Sequence, residues 1–223
     1  QDEVRGRDWS APDRLRESLC GRNEAEDRSA IVAECVRRLL SESPRSIREE
    51  AAGVLGECGL PSELDSIRAA AVDGIPETRA LAVGVLAAVY ERTRDGSILD
   101  VFRTLAAADL GRVEPEDAES TYGRAIALLA REGDASAAEA WVRYREARLP
   151  LPGETDLLYA HLAAHLDSSL TEHVERLARR DRLPDADLAM VLDAAGRSEC
   201  RRAAREARRP LLDHADAETR ARA

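Results

Sequence analysis

One nine-residue phrase occurs twice in this chain and limits its possible folds more than any other feature. Residues 48–56 read Arg-Glu-Glu-Ala-Ala-Gly-Val-Leu-Gly, and residues 79–87 read Arg-Ala-Leu-Ala-Val-Gly-Val-Leu-Ala, so the second copy begins 31 positions after the first. A fixed period of this length is typical of stacked helical units. With about 3.6 residues per turn, the small and apolar residues of each copy form a stripe that a neighbouring helix can cover.

A proline stands upstream of each copy, at Pro44 and Pro76, where it can start a helix but cannot continue one. With its turn, its arginine and its small-residue stripe, the phrase resembles the second helix of a HEAT repeat or of a HEAT-like repeat of the bilin-lyase type. The resemblance implies an all-α fold, a right-handed α-solenoid of about five HEAT-like helical hairpins. It implies no particular function, because such solenoids serve many functions.

Composition agrees with a helical chain. Aromatic residues make up 3% of the sequence, and the apolar residues are mainly Ala, Leu, Val and Ile, which suit close helix packing. We interpret residues 1–223 as a single HEAT-like domain, with an irregular lead-in and a short helix in 1–23 and an acidic insertion loop at 109–120. Residues 217–220 echo 76–79, so we expect another repeat to begin there, either in a longer solenoid or at an end that docks on a partner.

Apolar periodicity and turn residues predict the helices. The predicted spans are 24–42, 46–58, 62–72, 76–91, 97–108, 117–131, 135–147, 154–167, 169–181, 185–195 and 198–213. The inner surface of the solenoid is expected to belong to the spans 46–58, 76–91, 117–131 and 154–167.

The chain carries a formal charge of −10, and all 33 basic residues are Arg. A lysine-free acidic chain indicates either a GC-rich genome or a salt-adapted protein. Net negative charge opposes non-specific binding to nucleic acid and to anionic lipid. No apolar run is long enough to span a bilayer, so we expect no association with a membrane.

The four cysteines, at positions 20, 35, 58 and 200, show no C-x-x-C pair and no zinc-ribbon spacing. Cys35 and Cys58 fall among apolar positions of predicted helices, which favours reduced, buried thiols. This pattern predicts a cytoplasmic protein.

The repeated arginines, Arg48 and Arg79, are interpreted as structural residues. In HEAT-like families such an arginine commonly bonds an acid or a carbonyl of a neighbouring unit. Here the acids expected to accept a bond from these arginines are Asp65, Asp73 or Glu77.

Three histidines, His161, His165 and His173, form the one cluster that could bind a metal. His161 and His165 are four positions apart on one predicted helix, so their rings lie about one turn from each other. Some HEAT-like proteins resemble di-iron hydroxylases with paired His-Glu dipeptides, but this chain has no such dipeptide. The alternative is that the histidines merely flank an apolar stripe. No cofactor is predicted, and whether the chain is an enzyme, such as a metal-dependent lyase, stays open, with a non-enzyme favoured.

Arg201, Arg205 and Arg208 recur at helical spacing and could bind phosphate or another anion. Residues 171–223 contain twelve Arg and eleven acidic residues, so this part is only near neutral. A nucleic-acid-associated HEAT-like protein that uses these arginines is therefore an alternative function rather than the favoured one.

The favoured function is a protein–protein interaction scaffold or adaptor that presents a curved, largely acidic surface. Trp141 is expected to lie in the core or to anchor a partner peptide. The residues predicted as exposed partner contacts are Glu49, Glu50, Glu57, Glu77, Arg124 and Tyr159.

Overall fold

The computed structural model describes residues 25–150, 152–178, 188–189, 191–192 and 200–206. Within these ranges the chain is all-α and contains no strand, which confirms the predicted fold class at that level. The packing divides the chain into two compact units: residues 1–105 with 120–122, and residues 106–119 with 123–223. None of the described helices is both long and apolar enough to cross a membrane.

The first unit is built from consecutive helices that are joined by short segments. Its helices are α1 (Ala25–Leu40), α2 (Arg45–Cys58), α3 (Asp65–Asp73), α4 (Pro76–Thr93) and α5 (Gly96–Ala106), with a 3-10 turn at Pro61–Glu63. Helix α1 packs on α2, α3 packs on α4, and α2 packs on α4. These bounds lie within one or two residues of most of the predicted spans.

The two copies of the repeated phrase lie in α2 and α4, which contact each other. Ala51, Val54 and Leu55 are buried in α2, and the aligned residues Ala82, Val85 and Leu86 are buried in α4. The helices approach closely at Gly56, where an added Cβ would lie 3.1 Å from the Cβ of Ala88. The repeated small and apolar residues therefore form the seam between these two helices.

The repeated arginines make equivalent bonds. Arg48 donates from Nε to the Leu39 carbonyl (3.2 Å) and from Nη2 to the Thr78 hydroxyl (2.6 Å). Arg79 donates from Nη2 to the Gly74 carbonyl (2.7 Å) and from Nη1 to the Tyr122 hydroxyl (2.6 Å). Each arginine thus joins a carbonyl before its own helix to a hydroxyl further along the chain.

The partners of these arginines differ from those predicted. Carbonyl and hydroxyl oxygens accept their bonds, whereas Asp65 bonds to Arg68, and both Asp73 and Glu77 are exposed. A carbonyl acceptor is available at every helix end, because the last carbonyls of a helix have no partner within it.

The predicted acidic loop at 109–120 is largely helical instead. It contains a 3-10 turn at Leu110–Arg112, a short helix α6 (Pro115–Asp117) and a π-helical turn at Ala118–Gly123. Pro115 starts α6 at its first turn, where the missing N–H has no cost. Leu110 and Ala118 are buried, so this segment packs on the protein despite its acidic composition.

The second unit contains α7 (Arg124–Arg131), α8 (Ser136–Glu146), α9 (Thr155–His165) and α10 (Ser168–Ala178), followed by helical residues 200–206. Helix α8 contacts α7, α9 and α10, and α7 also contacts α9. The predicted lead-in at 1–23 and most of the predicted helices at 185–195 and 198–213 lie outside the described residues.

The cysteines depart from the prediction at one position. Cys35 is a free, buried thiol, as predicted, and Cys200 is also free and buried. Cys58 is disulfide-bonded, so the prediction of a reduced thiol there was wrong. Its burial in α2 was correctly expected, but burial does not distinguish a thiol from a disulfide. The cysteine pattern therefore no longer supports a cytoplasmic location.

Candidate functional site

The acidic residues predicted as partner contacts do not form one uniform surface. Glu49, Glu57 and Glu77 are exposed. Glu49 accepts from Nε of Arg45 at 2.7 Å, and the carboxylate of Glu77 also raises the pKa of that arginine after the larger effect of Glu49. Glu49 and Glu77 thus lie near one arginine, while Glu57 lies two turns further along α2.

Glu50 is only partly exposed, and its Oε1 is buried with no hydrogen-bond partner among the described residues. Glu50 is thus less exposed than predicted, and its carboxylate adds to the rise that burial gives the pKa of the Cys35 thiol on α1. Arg124, at the start of α7, is exposed as predicted.

Trp141 and Tyr159 are core residues of the second unit. Trp141 is fully buried and Tyr159 is 9% exposed. The Trp141 ring stacks on Tyr144 with a centroid distance of 5.4 Å and meets Tyr159 edge-on at 5.6 Å. Trp141 therefore lies in the core, which is one of its two predicted locations. The prediction of Tyr159 as an exposed contact was wrong, because this aromatic cluster fills the space between α8 and α9.

His161 and His165 stack face to face on α9, with ring centroids 4.1 Å apart. His161 is buried and donates from Nε2 to the carbonyl of Asp134 at 3.0 Å. His165 donates from Nδ1 to the carbonyl of His161 at 3.0 Å. Burial, and then the neighbouring His165, lower the pKa of His161 below the ordinary histidine value.

One nitrogen of each stacked ring is bonded to a backbone carbonyl, so only the other nitrogen of each ring is left to accept a bond. Among the described residues, no group of three His, Cys, Asp or Glu side chains is arranged to hold a metal ion.

His173 lies in a different arrangement, with Glu146 of α8 and Arg176 of α10. Its Nδ1 is 3.0 Å from Oε1 of Glu146 and 2.6 Å from Nη2 of Arg176, and that guanidinium also donates to Glu146 at 3.1 Å. Burial alone would raise the pKa of Glu146, but the bonds from His173 and Arg176 outweigh burial and lower it. Glu146 is therefore an ionised carboxylate at neutral pH.

An open groove of about 510 Å³ runs along α8 and is closed on its other side by the end of α9 and by α10. We call it the α8–α10 groove. Its acidic residues are Glu139, Glu146 and Asp167, and its imidazoles are those of His165 and His173. Ala135, Val142 and Leu170 supply apolar surface. Of the three histidines predicted as one cluster, the groove therefore brings together two.

The fold explains why one face of α8 is left for this groove. The face containing Ala137, Trp141 and Tyr144 is buried, whereas Ser136, Glu139 and Glu146 follow at helical spacing on the opposite face. Asp167 positions α10, because its Oδ1 accepts from the backbone N–H of Leu170 at 2.7 Å.

Arg143 is the one arginine among the residues that line the groove. Its guanidinium is committed to the end of α5, where Nη2 donates to the carbonyl of Ala106 at 2.7 Å and Nη1 lies 3.4 Å from the carbonyls of Ala107 and Ala108. The groove lining thus has three carboxylates and one arginine, and two of these carboxylates already meet a cation: Nε of Arg143 lies 3.9 Å from Oε1 of Glu139, and Arg176 donates to Glu146.

Sequence reasoning missed Glu139 and Glu146. The sequence does show polar residues that recur on one face of α8, opposite its buried face. This pattern does not indicate which helix packs across from the polar face. Of the predicted anion-binding arginines, Arg201 and Arg205 are exposed on the helical residues 200–206, and Nε of Arg205 donates to the carbonyl of Arg201. Arg208 lies outside the described residues.

Comparison of the chain with protein families, with curated proteins and with solved structures gave no match.

Proposed function

We propose that this chain is a protein-binding helical-repeat protein, related to the HEAT-like solenoids, whose α8–α10 groove binds a basic segment of a partner protein. The observation that carries this proposal is the groove itself, an open channel of about 510 Å³ with acidic walls and apolar patches. The function is that of an adaptor, and no chemical step is required of the site.

The charge of the groove supports a basic partner. Glu139, Glu146 and Asp167 carry three negative charges at neutral pH, and Arg143 contributes one positive charge, so the lining residues have a net charge of −2. Arg176, which donates to Glu146, adds one positive charge beside them. Exposed ion pairs contribute about 0.2–1 kcal/mol each. Two such pairs with a partner would therefore strengthen binding by roughly tenfold, since about 1.4 kcal/mol corresponds to tenfold.

The size and lining of the groove support a peptide segment. Small-molecule pockets are mostly enclosed and apolar, whereas this groove is open and mixed in polarity. Ala135 and Leu170 could contact an apolar side chain of the partner while Glu139 and Glu146 pair with its basic residues. A segment with basic and apolar residues on one face matches both features.

The repeated seam supports the relation to HEAT-like proteins. Copies of one phrase form adjacent helices α2 and α4, and the aligned arginines Arg48 and Arg79 bind a carbonyl and a hydroxyl in the same manner. Equivalent bonds at equivalent positions are what a repeat architecture requires, because each unit is stabilised mainly by its neighbours.

The test is titration of the full chain with a fluorescein-labelled peptide that presents two Arg and two Leu on one helical face, followed by fluorescence anisotropy. A peptide with Glu in place of both Arg is the ligand control. In the protein, Glu139→Gln combined with Glu146→Gln removes two charges from the groove. Glu49→Gln combined with Glu77→Gln removes two exposed charges elsewhere and is the matched control.

We expect saturable binding of the Arg peptide only. Its affinity should fall about tenfold in the Glu139→Gln, Glu146→Gln variant and less than about twofold in the control variant. Equal losses of affinity in the two variants would show that binding does not depend on the groove in particular. It would then depend on the acidic residues of α2 and α4 or on net charge alone. Absence of binding by the Arg peptide would reject the groove as a site for basic segments.

A further inference from the structure

Glu146 and His173 meet across the α8–α10 groove and form one pair of polar groups in its lining. Glu146 is the last residue of α8, and His173 lies in α10. Nδ1 of His173 is 3.0 Å from Oε1 of Glu146. The side chains of Glu146 and His173 are 30% and 43% exposed, so a ligand in the groove can reach both.

A guanidinium of the protein itself already contacts this pair. Nη2 of Arg176 donates to Oε1 of Glu146 at 3.1 Å and lies 2.6 Å from Nδ1 of His173. Arg176 and His173 are three positions apart on α10, so their side chains lie on one face of that helix. Arg176 lies beside the groove rather than among the residues that line it.

We propose, as an extension of the proposed function on which it rests, that Glu146 and His173 form an arginine subsite of the groove. In the free protein Arg176 occupies this subsite, and in the complex an arginine of the partner takes its place. The basic segment therefore carries an arginine, and not a lysine, at the position that meets Glu146.

The contacts of Arg176 indicate which cation this subsite suits. A guanidinium is planar and presents five N–H donors in a fixed fork that matches a carboxylate. A lysine ammonium is a compact, strongly hydrated charge without that fork. Because one nitrogen of Arg176 lies within bonding distance of both Glu146 and His173, an arginine of the partner can make the same contacts.

The exposure of Arg176 allows it to be displaced. Its side chain is 63% exposed, and ion pairs between exposed side chains contribute little to stability, because water solvates both groups. Arg176 returns to solvent when it leaves the subsite. The arginine of the partner, in contrast, arrives with the other contacts that the proposed segment makes, at Glu139 and Leu170.

A purely structural role of Arg176 leads to a different result. Helix α8 contacts α10, and if Arg176 only ties these two helices together, its removal loosens the groove and leaves the affinity for a basic segment unchanged or lower. If Arg176 competes with the partner, its removal frees Glu146 and raises that affinity. The sign of the change therefore distinguishes the two roles.

The experiment is the anisotropy titration of the full chain with the Arg peptide at neutral pH. The ionic strength is about 0.15 M, where charges further apart than about 8 Å are largely screened. The variant is Arg176→Gln. Arg124→Gln is the matched control, because it removes an exposed arginine of the same unit that does not line the groove.

Two further comparisons isolate the subsite. Both replacements are repeated in the Glu146→Gln background, where the shared carboxylate is gone. A second peptide with Lys in place of both Arg keeps the charge and removes the guanidinium. Far-UV circular dichroism verifies that every variant keeps the helix content of wild type.

We expect Arg176→Gln to strengthen binding of the Arg peptide about three- to fivefold, and Arg124→Gln to change it less than about 1.5-fold. In the Glu146→Gln background the two replacements should have equal effects. The Lys peptide should bind wild type about threefold more weakly than the Arg peptide. That difference between the peptides should disappear in the Glu146→Gln variant.

The failures of the two proposals are distinguishable. A gain in Arg176→Gln that is absent, or no larger than in Arg124→Gln, would overturn the displacement of Arg176. Equal binding of the Arg and Lys peptides would overturn the arginine subsite. Either result leaves the groove as a site for basic segments if the Glu139→Gln, Glu146→Gln variant still loses affinity. No binding of the Arg peptide to wild type rejects both proposals.

Discussion

Replacement of Arg79 by methionine tests whether the repeated arginines hold successive helices together. Methionine keeps an unbranched stem of similar length but loses the donors to Gly74 and Tyr122. Hydrogen bonds made by charged groups contribute about 1.5–3 kcal/mol each, less where solvent reaches them. Arg79 is half-buried, so we expect Arg79→Met to lower the free energy of unfolding by about 2–3 kcal/mol.

The bond to Tyr122 can be isolated by a double-mutant cycle. Tyr122→Phe removes the hydroxyl that accepts from Nη1 at 2.6 Å and keeps the ring, whose centroid lies 5.8 Å from the Arg79 guanidinium carbon. We expect a coupling free energy of about 1 kcal/mol between the two replacements. The contact with the ring face remains in Tyr122→Phe and does not enter this coupling.

The assay is urea unfolding followed by far-UV circular dichroism at neutral pH. Arg124→Met is the matched control, because Arg124 is an exposed arginine at the start of a helix, and its replacement should change the free energy of unfolding by less than about 0.5 kcal/mol. A coupling near zero between Arg79 and Tyr122, or an Arg79→Met effect as small as that of the control, would refute the structural role of the repeated arginine.

Three further predictions concern ionisation. The bonds from Arg37 and, to a smaller extent, Arg38 lower the pKa of Glu34 to about 2, a shift that corresponds to about 3 kcal/mol before solvent screening. Because solvent screens the mostly exposed Arg37, Glu34→Gln should cost about 1 kcal/mol in urea unfolding at neutral pH, and the difference should vanish as the pH falls from 4.5 toward 2. A destabilisation by Glu34→Gln that persists at the lowest pH of this range would contradict this prediction. His161 has a lowered pKa, mainly through burial, so its contribution to stability is present above 6.5 and is lost as the pH falls through its folded value. The free energy of unfolding of the His161→Gln variant should depend less on pH in that range than that of wild type. Identical pH dependence in the two proteins would contradict the role of His161. Burial raises the pKa of the Cys35 thiol to about 11, so iodoacetamide should alkylate Cys35 only after unfolding. Mass spectrometry locates the adduct, and rapid labelling of the native protein would show that the thiol is accessible.

The helices of the first unit could be predicted from the sequence because local signals determine them. The stripe of Ile31, Cys35 and Leu39 repeats at helical spacing, and Pro44 and Pro76 mark where helices begin. The repeated phrase also predicted that Leu55 and Leu86 would be buried at equivalent positions, and they are.

The candidate groove could not be predicted, because it depends on which helices lie side by side. Glu146 and His173 are 27 positions apart and meet only because α8 packs on α10. Trp141 and Tyr159 show the same limit, since an aromatic residue on a helix fits either a core or an exposed anchor. The disulfide at Cys58 depends on a pairing that no local pattern of one sequence indicates.

Whether the α8–α10 groove binds a basic segment can be measured by mapping where such a segment lies on the protein. We would titrate ¹⁵N-labelled protein with the unlabelled Arg peptide and follow the backbone amide shifts. We expect shifts concentrated at residues 135–146 and 165–173, with little change around Glu49 and Glu77. Shifts that avoid α8 and α10, or that spread evenly over the acidic surface, would contradict it.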